Sequence, residues 1–367
     1  MNNAKKIVIH CGPPKTGSSA IQNWMISNQE FLRKRGILYP DHVSDFNGIS
    51  SGHVGLFLDR SDGESKFQHE KFLSLVEQFN SSNSEILFLS SEYFFYQIEE
   101  FFKYKLNYCF LVYVRPEIEY VESIYNQSVK RNGQTNPIEA RKELACLTIN
   151  RIIKLVSEYD SSRFMLRGYG AKDYFDNSII QDVVEQCLGL SDFDELANSK
   201  KVVNPSYAFE CLEFKRWLNR VVGTEFDNRL DPLLQSFSGG INQYSLLPDR
   251  LYENYRTQSI NKIKELNECC GIKDVDKLID YITSLVKGQY QHQSLENKHC
   301  TRVLNFIKRR NPKLLKDIVK KLSTSSLSGR DFELYRMFKR AARNQVHLYV
   351  YDRLSNFKSL VSVRLKR

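Results

Sequence analysis

The segment Lys6-Ile-Val-Ile-His-Cys-Gly-Pro-Pro-Lys-Thr-Gly-Ser-Ser-Ala-Ile-Gln22 decides the fold of this chain. Its apolar run Ile7–Ile9 predicts a strand that is buried on both faces of a parallel sheet. From Ile21 onward the apolar residues follow helical spacing instead. Between strand and helix lies the loop Gly12 to Ser19, which is dense in glycine, proline and hydroxyl side chains. Strand, loop and helix in this order are typical of a phosphate-binding loop.

The loop carries the groups that an anion needs. The helix macrodipole, the first N–H groups of the helix, the Lys15 ammonium and the hydroxyls of Thr16, Ser18 and Ser19 would converge there. The spacing is not that of a Walker A motif, because Lys15 precedes Thr16 and Gly17 and does not follow the second glycine. An ordinary NTPase is therefore disfavoured.

The loop resembles the 5′-phosphosulfate-binding loop of sulfotransferases that use 3′-phosphoadenosine 5′-phosphosulfate (PAPS), particularly the bacterial and carbohydrate branch. Pro-Lys-Thr-Gly followed by small hydroxyl residues is typical of that loop. The resemblance implies that PAPS is the donor, that adenosine 3′,5′-bisphosphate is the product, that no metal takes part, and that Lys15 is catalytic. It implies these donor-binding residues in the loop: Pro14, Lys15, Thr16, Gly17, Ser18 and Ser19.

A second strand, turn and helix lies downstream. Residues Cys109 to Val114 form an apolar run that ends at Arg115, and helical spacing resumes from Ile118. Ser123 lies two helical turns beyond Arg115, so both side chains can face one pocket at the strand ends. The pair resembles the 3′-phosphate-binding element of the same sulfotransferases. Arginine suits this task because its planar fork meets two phosphate oxygens at once.

The remaining segments complete the expected fold. Glu85 to Glu92 resembles the family's strand that ends in Ser-Ser-Glu, and the segment ending at Arg167 is expected to be a further strand. Tyr174 to Leu190 and Asn204 to Asn219 resemble the helices that follow, so the likeness spans about residues 5 to 220. Residues 40 to 66 are expected to form a long loop that carries the acceptor pocket.

We therefore expect an α/β protein, with a parallel sheet flanked by helices in the P-loop-like sulfotransferase fold and a helical C-terminal extension. The expected sulfotransferase domain spans 1–290, with an α/β core over about 1–195 and a helical part over about 200–290. The expected extension spans 298–367 and is basic.

A general base must take the proton of the acceptor, and the sequence offers two candidates. His53 lies in the polar loop and resembles a histidine that recurs there in relatives; it titrates in the right range without help. Glu92 ends a strand at the same sheet edge as Lys15 and would need its pKa raised by burial. His53 is favoured slightly, with Glu92 as base or acceptor-positioning group. His10 is expected to be structural or to line the donor loop.

Composition excludes several other classes. An apolar fraction of 41% in 367 residues supports a sizeable core. The eight cysteines are scattered, with no Cys-x-x-Cys pair, which favours reduced thiols over a disulfide framework or a zinc site. No apolar stretch approaches the length of a membrane span, and the start leaves no room for a signal peptide. A bacterial cytoplasmic enzyme is therefore expected.

The positive charge is concentrated at the C-terminal end. From Lys298 onward there are 19 Lys or Arg against four Asp or Glu, in a chain whose formal net charge is +10. Leu314, Leu315, Ile318 and Leu322 line one face of an amphipathic helix in this part. Three interpretations stay open: the helix lies peripherally on the inner membrane, its basic face binds a polyanionic acceptor, or its apolar face packs on the main domain. Nucleic acid has the weakest support, since no binding motif accompanies the charge.

The favoured function is transfer of a sulfuryl group from PAPS to a hydroxyl or amine of a carbohydrate acceptor, such as a polysaccharide or a lipid-linked glycolipid precursor. The alternative is a P-loop-type nucleotide-binding protein or a kinase that uses ATP. Against this alternative, the strands end at Ser90-Ser91-Glu92 and at Arg115, with no evident magnesium-binding aspartate. The identity of the acceptor depends on loop shapes and is not readable from these motifs.

Overall fold

The contacts divide the chain into two compact units. The computed structural model describes residues 5–42, 50–59, 66–139, 141–170, 179–190 and 206–343. The first unit comprises Met1–Val121, Arg141–Val203 and Arg250–Val286, and the second comprises Glu122–Ala140, Asn204–Asp249 and Lys287–Arg367. In the second unit the described C-terminal helices share a core with helices from the middle of the chain. The expected boundaries at 290 and 298 stay a prediction from the sequence.

The described residues contain ten strands. In chain order they are β1 (Lys6–His10), β2 (Ile37–Leu38), β3 (Leu58–Asp59), β4 (Lys66–Phe67), β5 (Ile86–Ser90), β6 (Tyr108–Val114), β7 (Phe164–Gly168), β8 (Tyr244–Ser245), β9 (Ile272–Lys273) and β10 (Gln289–Tyr290). Six of them form one sheet in the order β2-β5-β1-β6-β7-β9, and all neighbours pair in parallel. The expected α/β architecture with a parallel sheet flanked by helices is confirmed. Strand β9 is an addition, because its segment was expected to be helical.

The helices of the described residues follow in the same numbering. They are α1 (Ser18–Ser27), α2 (Gln29–Lys34), α3 (Val54–Phe57), α4 (His69–Ser81), α5 (Ile98–Phe101), α6 (Glu117–Arg131), α7 (Leu147–Glu158), α8 (Ile179–Gln181, continued by the π-helical turn Asp182–Cys187), α9 (Phe209–Val222), α10 (Asp227–Gln235), α11 (Asp249–Cys269), α12 (Val275–Ser284), α13 (Asn297–Arg310), α14 (Pro312–Leu322) and α15 (Gly329–Arg343). The 3₁₀ turn Glu92–Tyr96 follows β5, and the 3₁₀ turn Ser161–Arg163 precedes β7.

The sheet of the first unit is covered on both faces. Ile7 and Ile9 belong to one buried cluster and Val8 belongs to another, as the alternation of side chains along a strand requires. All seven residues of β6 are buried. A continuous apolar run is the pattern of a parallel strand that packs against helices on both sides, so this signal in the sequence was sufficient to identify the central strands.

Three expected segments lie partly outside the described residues. Within the expected loop of residues 40 to 66, the described part contains α3 and half of the antiparallel pair β3–β4, so this segment is not a plain loop. The expected helix from Tyr174 is described only from Ile179, where it is helical. The expected helix from Asn204 begins at Phe209, and Asn204 itself lies outside the described residues.

The amphipathic C-terminal helix is α14, and its apolar face is buried. Leu314, Leu315, Ile318 and Leu322 lie in the core of the second unit, together with residues of α9, α13 and α15. The side chain of Asn311 caps the helix by accepting a hydrogen bond of 3.0 Å from the N–H of Leu314. Of the three open interpretations, packing of the apolar face in a protein core is therefore the one observed. None of the described helices is long and apolar enough to cross a bilayer.

Candidate active site

Three neighbouring strands bring the predicted site residues to one edge of the sheet. β1 pairs in parallel with β5 and with β6, so the carboxyl ends of all three lie at the same edge. The phosphate-loop segment follows β1, Glu92 follows β5 and Arg115 follows β6. The Arg115 guanidinium Nη1 donates a hydrogen bond of 2.9 Å to the carbonyl oxygen of Lys15. Arg115 thus contacts the loop Gly12 to Ser19 within the first unit.

The loop has a backbone conformation that costs free energy. Lys15 has φ of 70° and Gly17 has φ of 83°, both in the left-handed region. For a residue with a Cβ this region costs about 1–2 kcal/mol, so Lys15 is strained where glycine would not be. The Thr16 hydroxyl donates a 2.7 Å hydrogen bond to the Pro13 carbonyl and helps to hold the turn. Strain of this kind concentrates at ligand-binding loops.

Polar side chains crowd Gly12, the first residue of the loop. A Cβ at this position would lie 2.7 Å from Thr16 Oγ1, 2.9 Å from His10 Nε2 and 3.1 Å from Ser18 Oγ. Only glycine leaves these three polar atoms their space. His10 and Ser18 are buried, and the structure gives His10 Nε2 and Ser18 Oγ no hydrogen-bond partner among the described residues. Buried polar atoms without partners are costly, so these two atoms call for an explanation.

The other predicted loop residues lie at the turn and at the start of α1. Pro14 and Ser19 are half-buried, at the turn before Lys15 and in the first turn of α1. The N–H groups of Ser18 and Ser19 have no intrahelical acceptor, because they belong to the first turn of α1. The six expected donor-binding residues of the loop are consecutive, from Pro14 to Ser19. Backbone N–H groups at a helix N-terminus and hydroxyl side chains are groups that can bind an oxyanion.

Arg115 is positioned by side chains that the motifs did not reveal. Its Nε lies 3.8 Å from Glu119 Oε2, and its guanidinium lies 5.4 Å from the centre of the Tyr169 ring. The Tyr281 hydroxyl donates a 2.9 Å hydrogen bond to Glu119. Tyr169 also borders the loop, because a Cβ on Gly17 would lie 3.3 Å from its ring. Tyr169 directly follows β7, and that position at the carboxyl edge was the signal that could have identified it.

Ser123 lies on α6, eight residues beyond Arg115. Helix α6 begins in the first unit, but Ser123 belongs to the second. Its expected part in binding the 3′-phosphate stays a prediction from the sequence.

Glu92 is the carboxylate of the site. It is the first residue of the 3₁₀ turn after β5, and Ser91, not Glu92, caps that turn by accepting a 3.2 Å hydrogen bond from the N–H of Tyr93. Burial raises the pKa of Glu92, and the nearby charge of Lys15 opposes this rise. Burial and the charge of Glu92 raise the pKa of Tyr96 as well. Glu92 and Lys15 are therefore within electrostatic reach of each other.

His53 has a different environment from the one expected of a base. It is fully buried, its Nδ1 accepts a 2.9 Å hydrogen bond from the N–H of Ser90, and its Nε2 donates a 2.8 Å hydrogen bond to the carbonyl of Pro40. Burial lowers the pKa of His53 to about 3. Both ring nitrogens are engaged by backbone groups, so His53 ties its segment to β5 and has no nitrogen available for an acceptor's proton. Glu92 is the candidate base that this arrangement leaves.

A buried ion pair anchors the next helix beside the loop. Asp182, in the π-helical turn after α8, accepts hydrogen bonds of 2.6 Å from the Tyr113 hydroxyl and from Arg167 Nε. The side chain of Ile179, on α8, packs against Gly17. This anchor fixes the wall of the loop opposite β5, and nothing in the local sequence pattern indicated it.

Comparisons of the chain with protein-family models, with curated proteins and with solved structures found no match. Function must therefore be argued from the site. Within the described residues, no group of three or more His, Cys, Asp or Glu side chains could hold a metal ion. A cavity of about 690 Å³ opens at the amino ends of the strands, where Lys6, Arg163 and Lys273 line it, and it is separate from this site.

Proposed function

We propose that this chain transfers a sulfuryl group from PAPS to a hydroxyl or amine of a carbohydrate, in a polysaccharide or a glycolipid. The observation that carries the proposal is the 2.9 Å hydrogen bond from Arg115 to the Lys15 carbonyl, which joins two anion-binding elements at one sheet edge. A nucleotide with phosphate groups on two sides of its ribose needs two such elements. An ordinary nucleotide needs only one.

Donor binding follows from the charges of the two elements. The loop from Pro14 to Ser19 offers backbone N–H groups, hydroxyls and one ammonium for the 5′-phosphosulfate. Arg115 offers a fixed fork for the 3′-phosphate, and its orientation is maintained by Glu119 and by the loop itself. On this proposal no metal is required, because Lys15 and Arg115 supply the positive charge.

The proposed reaction is an in-line displacement at sulfur. A bond forms between the acceptor oxygen or nitrogen and sulfur, while the bond from sulfur to the bridging phosphate oxygen breaks. The electron pair of that bond stays on the phosphate, where Lys15 and the first N–H groups of α1 stabilise the growing negative charge. The acceptor's proton passes to the Glu92 carboxylate. Adenosine 3′,5′-bisphosphate and the sulfated carbohydrate are the products.

The environment of Glu92 suits this task. A general base works best when its pKa is close to the working pH, and burial moves the pKa of Glu92 upward from the ordinary glutamate value. The charge of Lys15 acts in the opposite direction and lowers the pKa of Glu92. The same pair therefore places a base and a leaving-group stabiliser in segments that follow adjacent strands.

The basic C-terminal helices supply the proposed contact with the acceptor. Because the apolar face of α14 is buried, a contact would have to use its outer side, where Lys313, Lys316 and Lys320 are exposed at i, i+3 and i+7. A polyanionic or lipid-linked acceptor fits this face, as does peripheral contact with the anionic inner membrane from the cytoplasm. Nucleic acid is not proposed.

This contact can be tested by charge reversal. Changing Lys313, Lys316 and Lys320 together to Glu should raise the KM for a charged acceptor several-fold at low salt and leave binding of adenosine 3′,5′-bisphosphate unchanged. Co-sedimentation with vesicles containing anionic lipid, compared with neutral vesicles, separates the membrane from the acceptor. An unchanged KM together with unchanged sedimentation would remove both partners from this face.

The proposed function is tested by labelled sulfate transfer. The chain is supplied with PAPS carrying ³⁵S and a panel of glycans and glycolipids, and labelled products are identified. The expected result is labelling of at least one carbohydrate by the wild type and by Lys71→Ala, an exposed lysine on α4, but not by Lys15→Ala. Phosphate transfer from ATP with no sulfate transfer would instead assign the chain to the kinase alternative.

A further inference from the structure

The side chain of His10 is buried directly under the phosphate loop. His10 is the last residue of β1, and its side chain has no exposed surface. Its ring edge lies against Tyr113, with ring centres 5.9 Å apart. One ring nitrogen, Nδ1, lies 2.8 Å from Ser90 Oγ, whereas Nε2 has no hydrogen-bond partner among the described residues. A fully buried imidazole with one unpartnered nitrogen needs an explanation.

A hydrogen-bond chain links His10 to Ser90 and Gln22. Gln22 Nε2 donates a 3.2 Å hydrogen bond to Ser90 Oγ, so the Ser90 oxygen already accepts one bond. We assign the Ser90 hydroxyl as the donor to His10 Nδ1, which lies 2.8 Å away, and this assignment is part of the inference tested below. Because burial lowers the pKa of His10 to about 3, the ring is neutral at pH 7. A neutral imidazole that accepts at Nδ1 carries its proton on Nε2.

His10 Nε2 lies close to the first residue of the loop. The point where a Cβ on Gly12 would lie is 2.9 Å from His10 Nε2 and 3.1 Å from Ser18 Oγ, and both atoms lack hydrogen-bond partners among the described residues. Ser18 is also the first residue of α1, so both atoms lie near the N-terminus of this helix. The unpartnered imidazole is an observation independent of the helix terminus, and both features call for the same kind of ligand.

We infer that His10 is a ligand of the oxyanion held in the loop, to which Nε2–H donates a hydrogen bond alongside the Ser18 hydroxyl. The inference rests on the part of the proposed function in which the loop binds phosphate. It adds a neutral donor to the charged ones, so His10 contributes orientation without adding charge. Ser90 and Gln22 are positioning residues, because they act on the ligand only through the imidazole.

Two substitutions separate binding from structure. His10→Asn places a polar group near the position of Nδ1, where it can still meet Ser90, but removes the donor toward the loop. His10→Gln places an amide N–H near the position of Nε2. The affinity for pyrophosphate, measured by titration calorimetry, should fall about tenfold to hundredfold in His10→Asn and recover in large part in His10→Gln. Equal affinities of wild type and His10→Asn would overturn the inference.

A spectroscopic measurement on the wild type covers the case in which a variant fails to fold. Imidazole ¹⁵N–¹H correlation spectra of the wild type, with His10 assigned through its ring contact with Tyr113, should show the Nε2–H tautomer and a shift of that signal on titration with pyrophosphate. An Nδ1–H tautomer, or an Nε2–H signal that pyrophosphate leaves unmoved, would contradict the assignment. A shift with pyrophosphate but no binding of adenosine 3′,5′-bisphosphate would support the role of His10 and remove the proposed donor.

Discussion

The paired variants Lys15→Ala and Lys15→Gly separate catalysis from stability at one position. Both variants remove the ammonium that would stabilise the leaving phosphate, while the Lys15 carbonyl that Arg115 binds is a backbone group and remains. Removal of one such donor typically costs 10²-fold to 10³-fold in turnover. We therefore expect both variants to lose transfer of ³⁵S from PAPS by about this factor.

The glycine variant should be more stable than the alanine variant, although both lose activity. At φ of 70° a residue with a Cβ pays about 1–2 kcal/mol, which glycine avoids. The greater freedom of glycine in the unfolded chain reduces this gain in stability by about 0.4–1 kcal/mol. The net advantage of Lys15→Gly over Lys15→Ala is thus about 0.5–1 kcal/mol, or roughly 2 °C in the melting temperature of a domain of this size.

The measurement compares thermal unfolding and initial rates of the three proteins under one condition. Lys15→Gly should be more stable than Lys15→Ala and equally inactive, so that unfolding cannot account for the loss of transfer. Retention of more than a tenth of the wild-type rate in either variant would refute the catalytic role of Lys15. A glycine variant less stable than the alanine variant would refute the strain argument.

Three further perturbations test the surroundings of the loop. Burial raises the pKa of Glu92 above the ordinary glutamate value, so ionisation of Glu92 lowers the stability of the folded state as pH rises from the ordinary pKa to the raised one. Glu92→Gln should therefore melt higher than wild type at pH 7, match it near pH 4, and lose transfer. Gly52→Ala places a Cβ 1.9 Å from the carbonyl oxygen of Ser90 at φ of 65° and should lower the free energy of unfolding by roughly 3 kcal/mol or more. Its control Gly36→Ala has φ of 72° and no neighbour closer than 3.7 Å, so it should lower the free energy of unfolding by only about 1–2 kcal/mol. Equal losses in the two variants would contradict the steric explanation. His53→Ala leaves the N–H of Ser90 unpaired and should lower the free energy of unfolding by roughly 2–4 kcal/mol, measured with denaturant. The pH at which the transfer rate falls on the acid side of its pH profile should stay unchanged. Loss or displacement of that fall would restore His53 as the base.

The strands at the centre of the sheet were predictable because their signal is local. An uninterrupted apolar run such as the one in β6 is typical of a parallel strand that is buried on both faces. Strand β9 was missed because it lacks such a local signal. It has only two residues, Ile272 and Lys273, so no periodicity can develop, and its place beside β7 depends on contacts more than a hundred residues away in sequence.

The site residues, too, were predictable only where their signal is local in the sequence. Arg115 could be placed because it directly follows β6, and Lys15 because its loop follows β1; parallel strands bring such positions together. The environment of His53 could not be read, because its hydrogen bonds go to backbone groups of Pro40 and Ser90, which are distant in sequence. A loop histidine in a polar sequence carries no local sign of burial.

The C-terminal helices show how charge and packing can be confused in a sequence. An amphipathic helix with lysines on one side fits a membrane surface and a protein core equally well. Burial of Ile318 and its apolar neighbours on α14 decides in favour of a core, because the same face cannot also enter a bilayer. Composition alone could not make this distinction.

The central claim is that two anion elements at one sheet edge hold a nucleotide with phosphates at both its 3′ and 5′ positions. The most direct test compares thermal stabilisation by adenosine 3′,5′-bisphosphate with that by ATP plus magnesium. At a concentration a hundred times its Kd, a ligand that binds only the folded state stabilises it by about 2.7 kcal/mol. The account predicts stabilisation of this order by the bisphosphate, its loss in Arg115→Ala, and none from ATP with magnesium. Stabilisation by ATP with magnesium and none by the bisphosphate would contradict it.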